Sequence, residues 1–238
     1  QIQEEDGVRG MPPARDLKKK HHFISWVYES QNHKIYTAQK MDSLDKIHVY
    51  IEGDGLAWRT HDQMSSDPTP TDPMGLNLAC EDTSDASLIY LARPGQYIED
   101  KRLTPLDWTH RRFSQSILIS YHAFLNKLRR RAPRARIVLL GYSGGGAIAL
   151  LLAAQRRDIS QVITFAGLLD HATWTSYHNN TPLMGSENPA DYITRLQHIP
   201  QIHFLGDKDT IVPRQVDNAY LAALNPNAPV TLRMIEGV

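Results

Sequence analysis

The chain of 238 residues is nearly devoid of cysteine, with Cys80 alone. One thiol excludes an intrachain disulfide and any zinc site built on paired cysteines. It leaves the compartment open between the cytoplasm and an exported, periplasmic location. Net charge is missing as well. Lys plus Arg and Asp plus Glu number 26 each, so no global field gathers nucleic acid or an anionic membrane, and neither is expected as a partner. The basic clusters Lys18-Lys19-Lys20 and Arg129-Arg130-Arg131 are local, the second closing a helix where positive charge favours the macrodipole. No apolar run reaches the length of a transmembrane helix and no signal-peptide core is visible, so no membrane-spanning segment is expected. The chain starts at Gln1 instead of methionine, which points to a segment removed from that end, an export signal being one candidate. Internal repeats and low-complexity tracts are absent too.

What is present suits one sizeable core. With 41% apolar residues, a single α/β domain over 21–238 is expected, behind an extended arm over 1–20 that lacks apolar periodicity. β-rich runs at 23–28 and 34–38, separated by Ser30-Gln31-Asn32-His33, predict an antiparallel hairpin at one sheet edge. Further strands are expected at 46–51, 87–91, 137–140, 162–165, 202–205 and 230–235, and helices at 74–80, 109–131, 146–154 and 215–224. This alternation predicts a mostly parallel sheet with helices on both faces. The segment 167–200 holds Trp174, Tyr177, two histidines and a helix signal at Asn188-Pro189-Ala190-Asp191. It is expected to form a small cover.

The most informative stretch is Gly141-Tyr142-Ser143-Gly144-Gly145. It lies between the apolar run Ile137-Val138-Leu139-Leu140 and a helix of small apolar residues. A sharp strand-to-helix turn that lifts a serine brings the two backbones so close that only glycine fits two positions either side. Ser143 is therefore the candidate nucleophile. A serine hydroxyl needs a base, and the base needs an orienting acid. Gly206-Asp207-Lys208-Asp209 follows a buried strand and opens on the same carboxyl edge of the sheet. Asp209 is chosen over Asp207, which reads as a turn former. Backbone donors for a developing oxyanion are expected from Gly144 and from Asp54, in the Gly53-Asp54-Gly55 turn after the strand at 46–51. Gly55, Trp58 and Tyr142 are expected to wall the pocket, with Trp174 as a further aromatic.

Together these residues resemble the α/β-hydrolase family over about 34–238. The blocks Tyr50-Ile51-Glu52-Gly53-Asp54-Gly55-Leu56-Ala57-Trp58, Asp67-Pro68-Thr69-Pro70, Leu91-Ala92-Arg93-Pro94 and the Ser143 elbow are similar to a poorly characterised bacterial esterase-like branch. Two departures stand out: Gly95 replaces a cysteine found after Arg-Pro in related proteins, and Glu52 replaces the histidine common before the oxyanion glycine in lipases. The resemblance implies a histidine after the last strand, yet all eleven histidines precede Asp209. The expectation is a C-terminus truncated just before that histidine. Within the chain, His171 and His178 of the cover are the alternative bases, whereas His48 and His203 sit in strands and read as packed. His21, His22 and His110 lack partners at metal spacing, and no metal or cofactor is expected. The implied activity is cofactor-free cleavage of a small or medium acyl ester or thioester through an acyl-enzyme. The competing expectation is a non-catalytic relative that binds a ligand or partner in the crevice. The oligomeric state is left open.

Overall fold

The computed structural model describes residues 20–238, so the expected arm falls outside the described residues except for Lys20. Eight strands form one sheet in the order β1-β2-β4-β3-β5-β6-β7-β8. They are β1 (Ile24–Glu29), β2 (Lys34–Lys40), β3 (Lys46–Ile51), β4 (Ser87–Leu91), β5 (Arg136–Tyr142), β6 (Ile159–Phe165), β7 (Gln201–Gly206) and β8 (Val230–Ile235). The β1–β2 hairpin is antiparallel and occupies one edge, as expected, and β2 also runs antiparallel to β4. From β4 to β8 every pairing is parallel.

Helices carry the crossovers between parallel strands: α1 (Met74–Glu81), α2 (Gln115–Arg131), α3 (Gly144–Gln155), α4 (His171–Tyr177), α5 (Ile193–Leu196) and α6 (Arg214–Ala223). Successive strand residues point to opposite faces, and both faces of the central strands are buried. Ile47, Val49 and Ile51 of β3, with Ile137 and Leu139 of β5, pack into the core that holds α2 and α3. Tyr50, Val138 and Leu140 face the other way, onto Leu76 and Ala79 of α1. Burial on both sides is why these strands read as unbroken apolar runs. No helix among the described residues is long and apolar enough to cross a membrane.

The expected helix over 109–131 needs correction at its start. Residues 105–107 form a 3-10 turn closed by a capping box between Thr104 and Asp107, and the helix begins only after Ser114, whose hydroxyl accepts the Ile117 N–H at 3.4 Å. The helix signal at Asn188 yields a 3-10 turn, Pro189–Tyr192, followed by the single-turn α5. Helix α4 was not anticipated. Its signal was present, since the Asp170 carboxylate accepts the N–H groups of Ala172 and Thr173, an ordinary N-cap.

Chain order places the site. The connection from β3 to β4 leaves on one side of β3 and that from β4 to β5 returns on the other, so the loops after β3 and β5 part at a switch point. Ile51 and Gly141 pair across that boundary, which sets the Glu52–Gly55 turn beside the Ser143 turn.

Candidate active site

Ser143 has φ +50° and ψ −120°, a conformation that costs a non-glycine residue about 1–3 kcal/mol and persists only when the surroundings enforce it. The enforcement is visible. Ser143 N–H donates to the Phe165 carbonyl at 2.9 Å, and its own carbonyl accepts from Gly146 at 2.9 Å and Leu168 at 3.1 Å. A side chain at 141 would strike the Gly145 carbonyl, and one at 145 the Ile51 carbonyl. Both flanking glycines are thus required by contact, as the sequence predicts. The serine stands at the N-terminus of α3, the positive end of that helix.

The facing loop is held from several directions. Glu52 is buried, and its carboxylate accepts the N–H groups of Gly53 and Gly75 at 2.9 Å, Leu76 N–H at 3.3 Å and the Tyr90 hydroxyl at 2.9 Å. Gly75 and Leu76 lie in the first turn of α1, so this residue from another strand end serves as the helix's anionic cap. Burial raises the Glu52 carboxyl above its ordinary pKa, against the pull of these donors. Gln96, 1% exposed, donates from Nε2 to the Gly53 carbonyl and accepts the Arg93 N–H, each at 2.9 Å. In a planar trans peptide the C=O and the following N–H point in opposite directions, and the described residues hold no cis peptide. Holding the Gly53 carbonyl on Gln96 therefore turns the Asp54 N–H the other way. That N–H meets no acceptor among the described residues.

The Asp54 side chain packs against Gly144, where any Cβ would collide with it. It bridges two guanidiniums, Arg93 Nη1 at 3.0 Å and Arg112 Nη1 in a short contact. Desolvation pushes its carboxyl up, but Arg112 and Arg93 outweigh that and hold it below the ordinary value. Arg93 also donates to the Arg112 carbonyl at 2.6 Å, and Arg112 Nε to the Thr109 carbonyl at 2.6 Å. Together with the bonds from Ser186 and Glu187 to His110 and Phe113, these contacts hold 109–113 as an irregular turn instead of helix. Arg112 escaped the sequence reading altogether, as did Gln96; Arg93 was visible only inside its Arg-Pro block.

A cleft of about 700 Å³ opens over these elements, and Ser143, Asp54, Gly55, Trp58, Tyr142 and Trp174 all line it. Gly144 is not among the lining residues and lies behind Asp54, which packs against it. Asn180, Thr181 and Leu183 of the segment 167–200 contribute to the same wall.

Asp209 is half-buried and Asp207 exposed. Asp209 Oδ1 accepts the N–H groups of Ile211 at 2.8 Å and Val212 at 2.9 Å. Its charge reaches Tyr142, whose hydroxyl is raised first by burial and then by Asp209. Asp207 accepts Gly237 N–H at 2.7 Å, and the Val238 carbonyl accepts Lys208 N–H at 2.8 Å, so the chain after β8 runs against this turn.

Among the described residues no histidine is hydrogen-bonded to Ser143 or Asp209. Neither His171 nor His178, the alternative bases of the cover, is bonded to Ser143 or Asp209: His171 is buried against the Glu187 carbonyl at 3.1 Å, and His178 bonds the Ile211 carbonyl at 2.9 Å. His110 and His61 line the cleft, with His110 edge-on to Trp58 at 5.7 Å. His48 pairs with Asp82 at 2.6 Å. His203 is bound by Thr164 at 2.8 Å and Gln201 at 3.0 Å, and burial lowers its pKa to about 4. Both are packed strand histidines, as predicted.

The sequence matches no protein-family model and no curated protein. Solved structures do resemble it. An esterase of Pyrococcus furiosus, Pf2001, superposes with a TM-score of 0.63 at 15% identity, over 98% of this chain and 89% of that one. A homologue of alpha-beta serine hydrolases from Coxiella burnetii gives 0.59 at 14% identity, over 90% and 88%. The fold is that of the α/β hydrolases. An acylaminoacyl peptidase of Pyrococcus horikoshii shares it at a TM-score of 0.62 and 13% identity, this chain covering 39% of its length. The α/β-hydrolase fold thus accounts for the strand order, the edge hairpin and the position of the Ser143 turn at a strand's carboxyl end.

Proposed function

We propose that the protein is a serine hydrolase that cleaves a carboxylic ester or thioester through an acyl-enzyme on Ser143. The observation that carries this reading is the strained Ser143 backbone, φ +50°, held at a strand-to-helix turn on the floor of a cleft. Ser143 Oγ attacks the acyl carbon while its proton passes to a histidine base. The resulting oxyanion is met by the N–H groups of Asp54 and Gly144, at the positive end of α3. Collapse expels the alcohol or thiol, which takes the proton from the histidine, and water then repeats the sequence to release the acid. Asp209 orients the base. A histidine carried just after β8 would stand beside it, because that part of the chain already lies against Lys208. The segment 167–200 acts as a cover, supplying one wall of the cleft.

The second reading, ligand binding without catalysis, draws on the lack of a described histidine at Ser143. Intact-mass analysis of the full-length protein with a fluorophosphonate separates the two. One adduct, lost in Ser143→Ala, is expected; a folded protein that takes no adduct would leave only the binding role.

A further inference from the structure

Arg93 and Arg112 are 4% and 5% exposed, yet a single carboxylate, Asp54, lies between them. Glu52, a second buried acid of the same loop, has its oxygens engaged by three N–H groups and the Tyr90 hydroxyl and pairs with neither arginine. The cluster therefore holds one positive charge in excess, in a place where an unbalanced charge is costly. Arg112 carries the exposed part of that excess. Its guanidinium lines the cleft, 5.8 Å from the Trp174 ring and 5.9 Å from the Phe113 ring, and is fixed by Asp54 and the Thr109 carbonyl. Nη2 takes part in no hydrogen bond among the described residues. The other acidic and basic groups on the cleft wall are Glu52, Arg59, His61, His110 and, at the α1 side, Asp72, whose Oδ1 accepts Asn77 Nδ2 at 2.8 Å.

A rigid, desolvated guanidinium with a free edge is a receptor for a planar anion. We propose that the substrate of the Ser143 site carries a carboxylate, held by Arg112 Nη2 while the ester lies over the serine. A surplus of one charge matches a carboxylate better than a phosphate dianion. The inference names the substrate class for the hydrolase reading and rests on it, but the anion subsite is testable without turnover.

The test uses full-length Ser143→Ala and two probes, monomethyl glutarate and its neutral counterpart dimethyl glutarate, titrated by calorimetry. One charge-assisted contact in a dry site corresponds to a preference of about 10- to 100-fold for the monoester. Adding Arg112→Gln should erase the preference, and Arg112→Lys should retain part of it. Arg112→Gln leaves Arg93 and Asp54 as a balanced pair, so the fold should survive, which a thermal melt checks. Equal binding of both probes, no binding of either, or a preference that survives Arg112→Gln in folded protein each overturns the proposal. In parallel, active protein should hydrolyse p-nitrophenyl hemiglutarate with kcat/KM at least tenfold above p-nitrophenyl valerate. A binding preference without a fluorophosphonate adduct would sink the hydrolase reading and leave the subsite standing. An adduct without a preference would do the reverse.

Discussion

Gln96 does not itself line the cleft, standing behind Gly53 of its wall, yet replacing it should slow catalysis sharply. The residue fixes one peptide plane, holding the Gly53 carbonyl so that the Asp54 N–H faces the opposite side. In Gln96→Leu the side-chain volume is nearly kept, while the Gly53 carbonyl and the Arg93 N–H both lose their partner. Leaving two buried groups unsatisfied costs about 2–6 kcal/mol of stability at ~1–3 each. That is a large share of the ~5–15 kcal/mol that usually holds a domain together, so the melt must be measured beside the kinetics. The catalytic effect is separate. A freed peptide no longer presents the Asp54 N–H to the oxyanion, and losing one such donor lowers kcat about 10²–10³-fold with KM little changed, because the contact forms only in the transition state.

Gln96→Glu sharpens the assay. The new carboxyl still accepts the Arg93 N–H, but it can donate to the Gly53 carbonyl only while protonated. Its activity relative to wild type should therefore climb as pH falls through the carboxyl's titration, a profile that general loosening of the fold does not produce. Steady-state hydrolysis of a p-nitrophenyl ester from pH 5 to 9, with circular-dichroism melts, gives both readouts. A folded Gln96→Leu protein whose kcat stays within about threefold of wild type would refute the assignment of Asp54 N–H as an oxyanion donor.

Other consequences follow from the same contacts. Ser143→Gly relieves a backbone strain of about 1–3 kcal/mol and should raise the melting temperature by several degrees, at ~2–4 °C per kcal/mol, while abolishing the fluorophosphonate adduct. Gly145→Ala drives a Cβ into the Ile51 carbonyl and should lower stability by about 3 kcal/mol or more, seen as a melting point at least ~6 °C lower or as insoluble protein. Asp217 on α6 is fully buried with no cation paired to its carboxylate among the described residues, and burial pushes its pKa up to about 8 against the pull of the Leu169 N–H. The folded state thus binds a proton that the unfolded chain releases from about pH 4 upward. Stability from this group is present in full below that value and falls by up to ~1.4 kcal/mol per pH unit between about 4 and 8. Asp217→Asn should flatten that slope in denaturant titrations and be more stable than wild type at pH 8; an unchanged slope would show that Asp217 is not the group responsible.

How much of this was legible in the sequence follows from the range of the forces involved. The strands of the central sheet could be read because burial on both faces leaves Ile47 to Ile51 and Ile137 to Leu140 almost without polar interruption. The turn at Ser143 could be read because its two constraints, at Gly141 and Gly145, act within four residues of each other. By contrast, the groups that orient the facing loop come from far along the chain: Gln96 reaches Gly53 across 43 positions and Arg112 reaches Asp54 across 58. No local period or spacing marks such partners, since a buried polar residue on an irregular turn resembles any solvated one in sequence. The same holds for Glu52, whose position before the Gly53-Asp54-Gly55 turn is evident but whose partners, the first-turn N–H groups of α1 at Gly75 and Leu76, are 23 and 24 residues away. It also explains the misplaced start of α2. Thr109 to Phe113 carry acceptable helix formers, but long-range partners engage their backbone and side chains: Arg112 meets Asp54, Arg93 holds the Arg112 carbonyl, and Ser186 and Glu187 bond the His110 carbonyl and both backbone groups of Phe113. Local chemistry thus announces the Ser143 turn, and distant polar pairing, invisible in the sequence, builds the cleft wall that faces it.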